Sequence, residues 1–390
     1  MTAPLAGLKV VELARILAGP WIGQTLADLG AEVVKVESPQ GDDTRTWGPP
    51  FVQREDGRRD AAYFLCCNRG KKSVTADFSV AADRELMLRL IDTADVVIEN
   101  FKTGGLEKFG LDYATLARRR PQLIYCSVTG FGQSGPYSQR AGYDAMIQGL
   151  SGIMDLTGEP QGEPQKIGVA FMDIMTGLYG VIGIQAALAQ RARTGRGQHV
   201  DMALLDVGVS VLANQALNYL VSGDVPRRMG NAHPNIVPYQ TFAVADGYVM
   251  IAVGNNSQYR KLCEVLGQPQ LGSDVRFASN EDRVRERAVL IATLGELLAT
   301  WQSGALLAQL EQAGVPAGPV NTLRDVFSDP QVLHRQMTLR IPAAGTAGGT
   351  LPSVPSPIKF SDAQLSLHRP PPRLGEHTAE IRRALGLPEN

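Results

Sequence analysis

The sequence predicts an α/β chain, a large domain built on a parallel sheet followed by a smaller α/β domain. Three observations carry this. Strand-like apolar runs alternate with helical patterns over the first 130 or so residues, the composition turns loop-rich near residue 225, and a hairpin-then-helix pattern follows.

"LKVVEL" (Leu8–Leu13) is a short β-rich run, "PWIGQTLADLG" reads as a helix ending at Gly30, and "AEVVKVES" is a second strand running into Pro39. Together they form a βαβ unit. "ADVVIEN" (Ala94–Asn100) and "QLIYCSVTGFG" (Gln122–Gly132) continue the strand series, with the helical pattern "AADRELMLRLIDT" ahead of them. Such alternation puts helices on both faces of a parallel sheet. An apolar run from Ile167 reads as a helix ending in "QRARTGRGQ", where arginines meet the negative end of the dipole and Gly195 and Gly197 break the pattern.

"LLDVGVSVLANQALNYLVSG" reads as one further helix, "DVPRRMGNAHPNIVPYQTF" as loop, and "DGYVMIAVGNNSQYRKLCEVLG" as a hairpin and a helix. From "GPVNTLRDVFSDPQVLHRQ" onward the chain reads as linker, "PAAGTAGGTLPSVPSPIKF" alternates Gly and Pro, and "HRPPPRLGEHTAEIRRALG" closes with a short helix. The expected layout is residues 1–215 plus 335–390 for the large domain and 225–325 for the small one. Linkers are expected at 216–224 and 326–334.

The 390 residues are 44% hydrophobic and 20% charged, enough for a sizeable globular core. A net charge of -1 gives no field for nucleic acid or an anionic membrane, so neither is expected as a partner. The cysteines, Cys66, Cys67, Cys126 and Cys263, show no CxxC spacing, which argues against a disulfide framework and for a reducing, cytoplasmic-type compartment. "MTAPLAGLKVVEL" lacks the basic and apolar regions of a secretion signal. The run Ile167–Ala189 is long enough to span a membrane, but it holds Asp173, Thr176, Gln185 and several glycines, so a buried helix is expected.

Common catalytic patterns fail. A dinucleotide fingerprint needs GxGxxG after the first strand, yet "ELARILAGPWIG" offers only Gly19 and Gly23, and Pro20 removes an amide from the would-be cradle. There is no GxxxxGK[ST]; "NRGKKS" (Asn68–Ser73) reads either as a phosphate contact or as a solvated turn. No GxSxG elbow occurs, and His199, His233, His334, His368 and His377 lack metal-ligand spacing, so no metal is expected.

One stretch stands out: "VAFMDIMTGLYG" (Val169–Gly180) places Asp173 in an apolar helical run. Burying an ionised carboxylate is costly unless it is paired. Thr176, Gly177 and Gly180 follow at i+3, i+4 and i+7 and share its face. Either the small residues leave room beside a working carboxylate, or another segment packs on the glycines and satisfies the charge.

With "DIMTG", the preceding "RAGYDAM", the N-terminal "LAGPWIGQTLADLGAEVVKVESPQGDDTR", "TGRGQHVDMALLD" and the closing "PPPRLGEHT", the chain resembles the class III coenzyme A transferases, the family of formyl-CoA transferase, nearly end to end. "GDDTRTWGPPF", "NIVPYQTF", "VGNNSQ" and "PQVLH" are most similar to its succinyl-CoA:glutarate (dicarboxylate) branch. The resemblance implies a Rossmann-like large domain and an interlocked homodimer. Acyl-CoA and small carboxylic acids would be the substrates, with no metal.

It further implies Asp173 as a nucleophile that becomes acylated and then carries CoA as a thioester. CoA would be lined by Arg15, Leu17 and Ala18 after the first strand and by Ala76, Asp77, Phe78 and Ser79. Asn100, Phe101, Lys102, Lys108, Tyr143 and Asp144 would complete that site. Lys108 stands where formyl-CoA transferases carry arginine, Ser38 where they use arginine, and Ala141 where they use lysine; Arg45 and Arg140 are the nearby cations to compensate.

"GNAHPNIVPYQ" replaces a glycine-rich lid, so His233, Pro234, Asn235 and Gln240 are the expected acid-binding residues, the alternative being a plain connecting loop. Racemases of the same fold need a histidine where this chain has Tyr143, and a phenol is a poor base at neutral pH. A carnitine-type CoA-transferase and a non-catalytic acyl-CoA-binding protein are the other competing readings.

Overall fold

In the computed structural model, which describes residues 2–388, the β-branched runs of the first half pair as predicted into one parallel sheet. In chain order the strands are β1 (Lys9–Glu12), β2 (Glu32–Glu37), a hairpin of β3 (Phe51–Gln53) and β4 (Arg59–Ala61), β5 (Lys72–Thr75), β6 (Val96–Glu99), β7 (Ile124–Thr129) and β8 (His199–Ala203). The sheet order is β5-β2-β1-β6-β7-β8, every pairing parallel. This is the doubly wound Rossmann order, and it reverses between β1 and β6, where open α/β sheets form a crevice beyond the strand ends.

The helices up to residue 222 are α1 (Ala18–Asp28), α2 (Ala62–Leu65), α3 (Ala81–Asp92), α4 (Tyr113–Arg119), α5 (Asp144–Leu150), α6 (Ile153–Leu156), α7 (Phe171–Thr194), α8 (Leu204–Ser210) and α9 (Ala213–Ser222). Central strands facing helices on both sides read as continuous apolar runs, and each face has its own core. Ile22, Leu26, Ile98 and Ile184 fill one; Leu86, Ile91, Val97 and Leu116 fill the other. α7 is long and apolar enough to cross a membrane, but here Met172, Ile184 and Ala187 bury against the sheet. It ends at Gly195, φ +70°, with Arg191 and Arg193 in the last turn, as the sequence implied.

The chain divides into two compact units: 1–153 with 166–221 and 333–390, and 154–165 with 222–332. The second unit holds an antiparallel sheet of β9 (Tyr239–Val244), β10 (Gly247–Ala252) and β11 (Ala317–Pro319), in the order β11-β10-β9. α10 (Asn256–Val265), α11 (Pro269–Ser273), α12 (Asn280–Arg285), α13 (Arg287–Leu298) and α14 (Ser303–Ala313) accompany it, burying Leu262, Leu290, Leu294 and Leu310 against Val249 and Ile251.

Several local expectations give way. The segment read as one helix is two, α8 and α9, parted where Ala213 takes φ +47°, a conformation that ends a right-handed helix. The expected linker carries α15 (Leu323–Ser328), started by a Thr322–Asp325 capping box, and α16 (Pro330–His334). The Gly/Pro-rich stretch forms a hairpin, β12 (Leu339–Pro342) with β13 (Thr350–Ser353), before the closing α17 (Thr378–Ala384). Residues 154–165, placed in the large domain by sequence, pack with the second unit, where Arg228 pairs with Asp155 at 2.5 Å.

β5 is an edge strand, and the "LGEHT" segment covers it. His377 N donates to Ser73 O (2.9 Å), Ser73 N to His377 Nδ1 (3.2 Å), Thr75 N to Thr378 Oγ1 (3.1 Å) and Gly375 N to Ser73 Oγ (2.9 Å). Unpaired strand groups are thereby taken up within the chain.

Candidate active site

Asp173 is the third residue of α7, in the turn whose amides point outward unpaired. Those amides are capped by another carboxylate. Asp144 Oδ1 accepts from Met172 N (2.7 Å) and Asp173 N (3.2 Å), and Asp144 Oδ2 accepts from Gln148 Nε2 (2.6 Å). Gln148, fully buried, accepts Ile167 N in turn (2.8 Å). Asp144 thus serves as an N-cap from 28 residues away. Its own position is set by backbone contact, since a Cβ on Gly142 would stand 2.6 Å from Gly130 Cα.

The Asp173 side chain is 9% exposed, and among the described residues it takes part in no ion pair and no carboxylate hydrogen bond. Its pKa is pushed up to about 7, first by burial and then by the negative charge of Asp144. The helix N-terminus acts in the opposite sense. Tyr63 on α2 belongs to the same neighbourhood: burial raises its phenol pKa, and the charge of Asp173 raises it further. Trp47 lies edge-on to Tyr63 at 5.3 Å. Neither aromatic was legible as a site residue, because only tertiary folding brings α2 to α7.

The small-residue stripe beside Asp173 is not hollow. Added Cβ atoms would meet Trp21 Cβ at 3.0 Å from Gly177 and Ile22 Cδ1 at 2.5 Å from Gly180, so α1 packs on the glycines. Of the two readings left open, helix packing accounts for the glycines, while the carboxylate itself is left unsatisfied.

The switch-point loop is tightly held. Arg15 N donates to Asn100 Oδ1 (3.0 Å) and Asn100 Nδ2 to Arg15 O (2.7 Å), which ties the end of β1 to the end of β6. Ile16 adopts φ +73°, a strained conformation for a β-branched residue, with its N–H directed to Asp42 (3.3 Å). Behind the loop lies a buried ionic cluster. Lys35 joins Glu12 (3.1 Å) and Asp42 (2.9 Å) and donates to Ala14 O (2.8 Å); Lys71 joins Glu12 (2.8 Å) and donates to Pro20 O (2.8 Å). Of the two lysines in "NRGKKS", Lys71 is thus a core residue, neither solvated nor a phosphate ligand, while Lys72 is half-buried and pairs with the exposed Glu380 at 2.7 Å.

Leu17 and Ala18 are buried at the start of α1, and Ala76 is buried after β5. Asp77 accepts from Ser79 N and Oγ (2.8 and 2.6 Å), and Phe78 packs against Phe101 (6.2 Å) and Phe109 (5.6 Å). Lys108 Nζ sits over the Phe109 ring at 4.8 Å, and Lys102 is exposed. Glu99, pushed up to about 7 by burial, accepts Phe101 N (2.8 Å). The fold thus gathers Ala76–Ser79 with Asn100–Lys102 and Lys108 at one end of the sheet. Tyr143 is 57% exposed at the start of α5. Arg45 is not available to compensate for Ser38, because it is buried against Glu37 and Asp60 at 2.8 Å each. Arg140 stacks on Tyr137 at 3.8 Å.

In the second unit, His233 and Pro234 carbonyls both accept from Arg287 Nη2 (2.8 Å each), Asn235 O accepts from Asn280 Nδ2 (2.8 Å), and Asn235 N donates to His233 Nδ1 (3.1 Å). Gln240 pairs with Ile251 in the β9–β10 ladder. Among the described residues no group of three or more His, Cys, Asp or Glu could hold a metal ion.

The site thus consists of a doubly wound sheet, a braced switch-point loop and, at a helix N-terminus, a buried carboxylate without a partner among the described residues. The chain belongs to CoA-transferase family III, whose sequence model matches residues 5–378, and it is an enzyme of that family. It is 52% identical to a succinate–glutarate CoA-transferase of Agrobacterium fabrum, over 97% of this chain and 94% of that protein. It is 42% identical to succinyl-CoA:glutarate CoA-transferase of Homo sapiens, over 97% of this chain and 85% of that one. Among solved structures, a CaiB/BaiF family protein from Brucella suis is 62% identical, with a TM-score of 0.87 and coverage of 99% and 100%.

Proposed function

We propose that the protein transfers CoA from succinyl-CoA to a small dicarboxylic acid such as glutarate, through covalent intermediates on Asp173. The observation that carries this reading is a buried carboxylate with neither ion pair nor hydrogen bond among the described residues. Asp173 attacks the thioester carbonyl and expels CoA thiolate, giving a mixed anhydride. The thiolate then adds to the Asp173 acyl carbon and releases succinate, leaving an aspartyl-CoA thioester. The acceptor acid reverses both steps. Splitting the exchange in this way replaces one difficult substitution with easier ones, and the dry site protects the anhydride from water.

CoA is a substrate here, and Arg15, Leu17, Ala18, Ala76–Ser79, Asn100–Lys102, Lys108 and Tyr143 are the residues we assign to it. Asp144 acts through Asp173, as its helix cap. His233, Pro234, Asn235 and Gln240 are assigned to the acid. The family resemblance and the four unbridged cysteines support a homodimer and a cytoplasmic-type setting. So do the exposed apolar side chains of Met146, Leu150, Ile182 and Leu217, which need covering.

Incubation with succinyl-CoA and a panel of acids, followed by mass spectrometry of the CoA esters, tests the substrates; no glutaryl-CoA would refute the assignment. Hydroxylamine added during turnover should release an Asp173 hydroxamate, and Asp173→Ala should abolish transfer. Light scattering giving the monomer mass would refute the dimer.

A further inference from the structure

Thr176 follows Asp173 by three residues on α7 and is fully buried. Among the described residues its hydroxyl has no hydrogen-bond partner. A threonine inside a helix ordinarily returns that hydroxyl to the carbonyl three or four residues back, which here would be Asp173 or Met172. It does neither. A buried hydroxyl without a partner is disfavoured, and in native proteins such a group calls for a reason. Helical side chains lean toward the N-terminus, so the residue at i+3 covers the turn that carries residue i. The free donor therefore shares a face with the carboxyl that lacks donors. Asp144, whose charge acts on Asp173, is an acceptor already holding three donors of its own. Tyr63 on α2 is a further titratable group in the neighbourhood, with Cys66 and Cys67 beside it, and Asp28, the titratable group of α1, is committed to Arg69 at 2.6 Å.

We propose that Thr176 Oγ1 donates to the side-chain carbonyl oxygen of Asp173 while that carboxyl is acylated, stabilising the charge that forms there. This rests on the nucleophilic reading of Asp173. In two of the four steps the carbon under attack is Asp173 Cγ. CoA thiolate adds to Cγ of the anhydride, the carbonyl pair moves onto oxygen, and collapse restores the carbonyl while the Cγ–O bond breaks to release donor carboxylate. Later the acceptor carboxylate adds to Cγ of the thioester, and collapse expels the thiolate. An anion enters and an anion leaves each time, with no net proton transfer. Both tetrahedral adducts place the negative charge on the same Asp173 oxygen. A hydroxyl uncommitted to the helix backbone can meet it, as donors aimed at developing charge do in acyl transfer.

The test compares Thr176→Val, Thr176→Ser and Asp173→Ala in the full chain, with succinyl-CoA and glutarate. Thr176→Val should lower kcat by about 100–1,000-fold, the usual effect of removing one such donor. The KM for succinyl-CoA should stay within about threefold, and Thr176→Ser should keep most of the rate. Intact-protein mass spectrometry after mixing with succinyl-CoA should show CoA-bound enzyme appearing more slowly in Thr176→Val by the same factor. A valine variant with wild-type kcat, or serine and valine variants equally impaired, would overturn the proposal. Should the valine variant not fold, Thr176→Cys, with its weaker donor, replaces it, and full activity there overturns the proposal equally. If Asp173→Ala stays active, or the wild type never carries CoA, the parent reading fails instead.

Discussion

Asp173 titrates near neutrality, and a carboxylate nucleophile works only when ionised. With its pKa at about 7, kcat/KM should rise through pH 7 and level off above it. Asp144→Asn removes a neighbouring negative charge and should move that limb to lower pH; an unmoved limb in the pH–rate profile would remove Asp144 from the account. Stability runs the other way. The folded state holds this proton far above the ordinary value of 3.8, so it binds more protons than the unfolded chain between 3.8 and about 7. Stability therefore falls as pH rises through that window. Asp173→Asn, which has nothing to titrate, should melt higher than wild type at pH 8, by about 2–4 °C for each kcal/mol regained. The two curves should converge near pH 4, as melts at both values would reveal.

At the scale of elements, the start of α5 depends on two glycines meeting backbone to backbone. Gly142→Ala brings a methyl 2.6 Å from Gly130 Cα and 3.4 Å from Ile147 Cδ1. It should cost about 1–3 kcal/mol in urea unfolding and lower activity, because Tyr143 and Asp144 follow directly. This dependence also marks how far the sequence could be read. Strands β1, β2, β6 and β7 and helices α1, α3 and α7 were legible because their apolar patterns decide them locally. β8 was missed: "HVDMA" alternates polar residues, His199 and Asp201, that only pairing with β7 explains. Asp173 could be singled out as an anomaly within one helix. Asp144 was named only as a CoA residue, by resemblance; its role as the cap, and the neighbour Tyr63, could not be read, since no local spacing links residues 63, 144 and 173. The glycine stripe was legible as a feature, with close packing as one of two open causes, but the packing element, α1, was not.

Across the whole molecule, buried charge ties distant segments together. Arg45 bonds Glu37 of β2, Asp60 of β4 and the Pro372 carbonyl (3.2 Å) of the C-terminal segment. Arg45→Met leaves buried Glu37 without its arginine and Asp60 with Arg54 alone, and should destabilise the large unit by about 3–5 kcal/mol, measured by denaturant unfolding. A change within 1 kcal/mol would mean that Arg54 suffices for Asp60, at 2.6 Å, and that Ser73 Oγ and Asp42 N suffice for Glu37.

The cover on β5 joins residues 304 positions apart. During synthesis the sheet has formed its other partners long before that cover leaves the ribosome. At about 5–20 residues per second, the bare strand waits roughly 15–60 s for its final neighbour. For that interval the nascent protein is open to pairing with other chains, and the turn at Gly375–Thr378 is what ends the exposure.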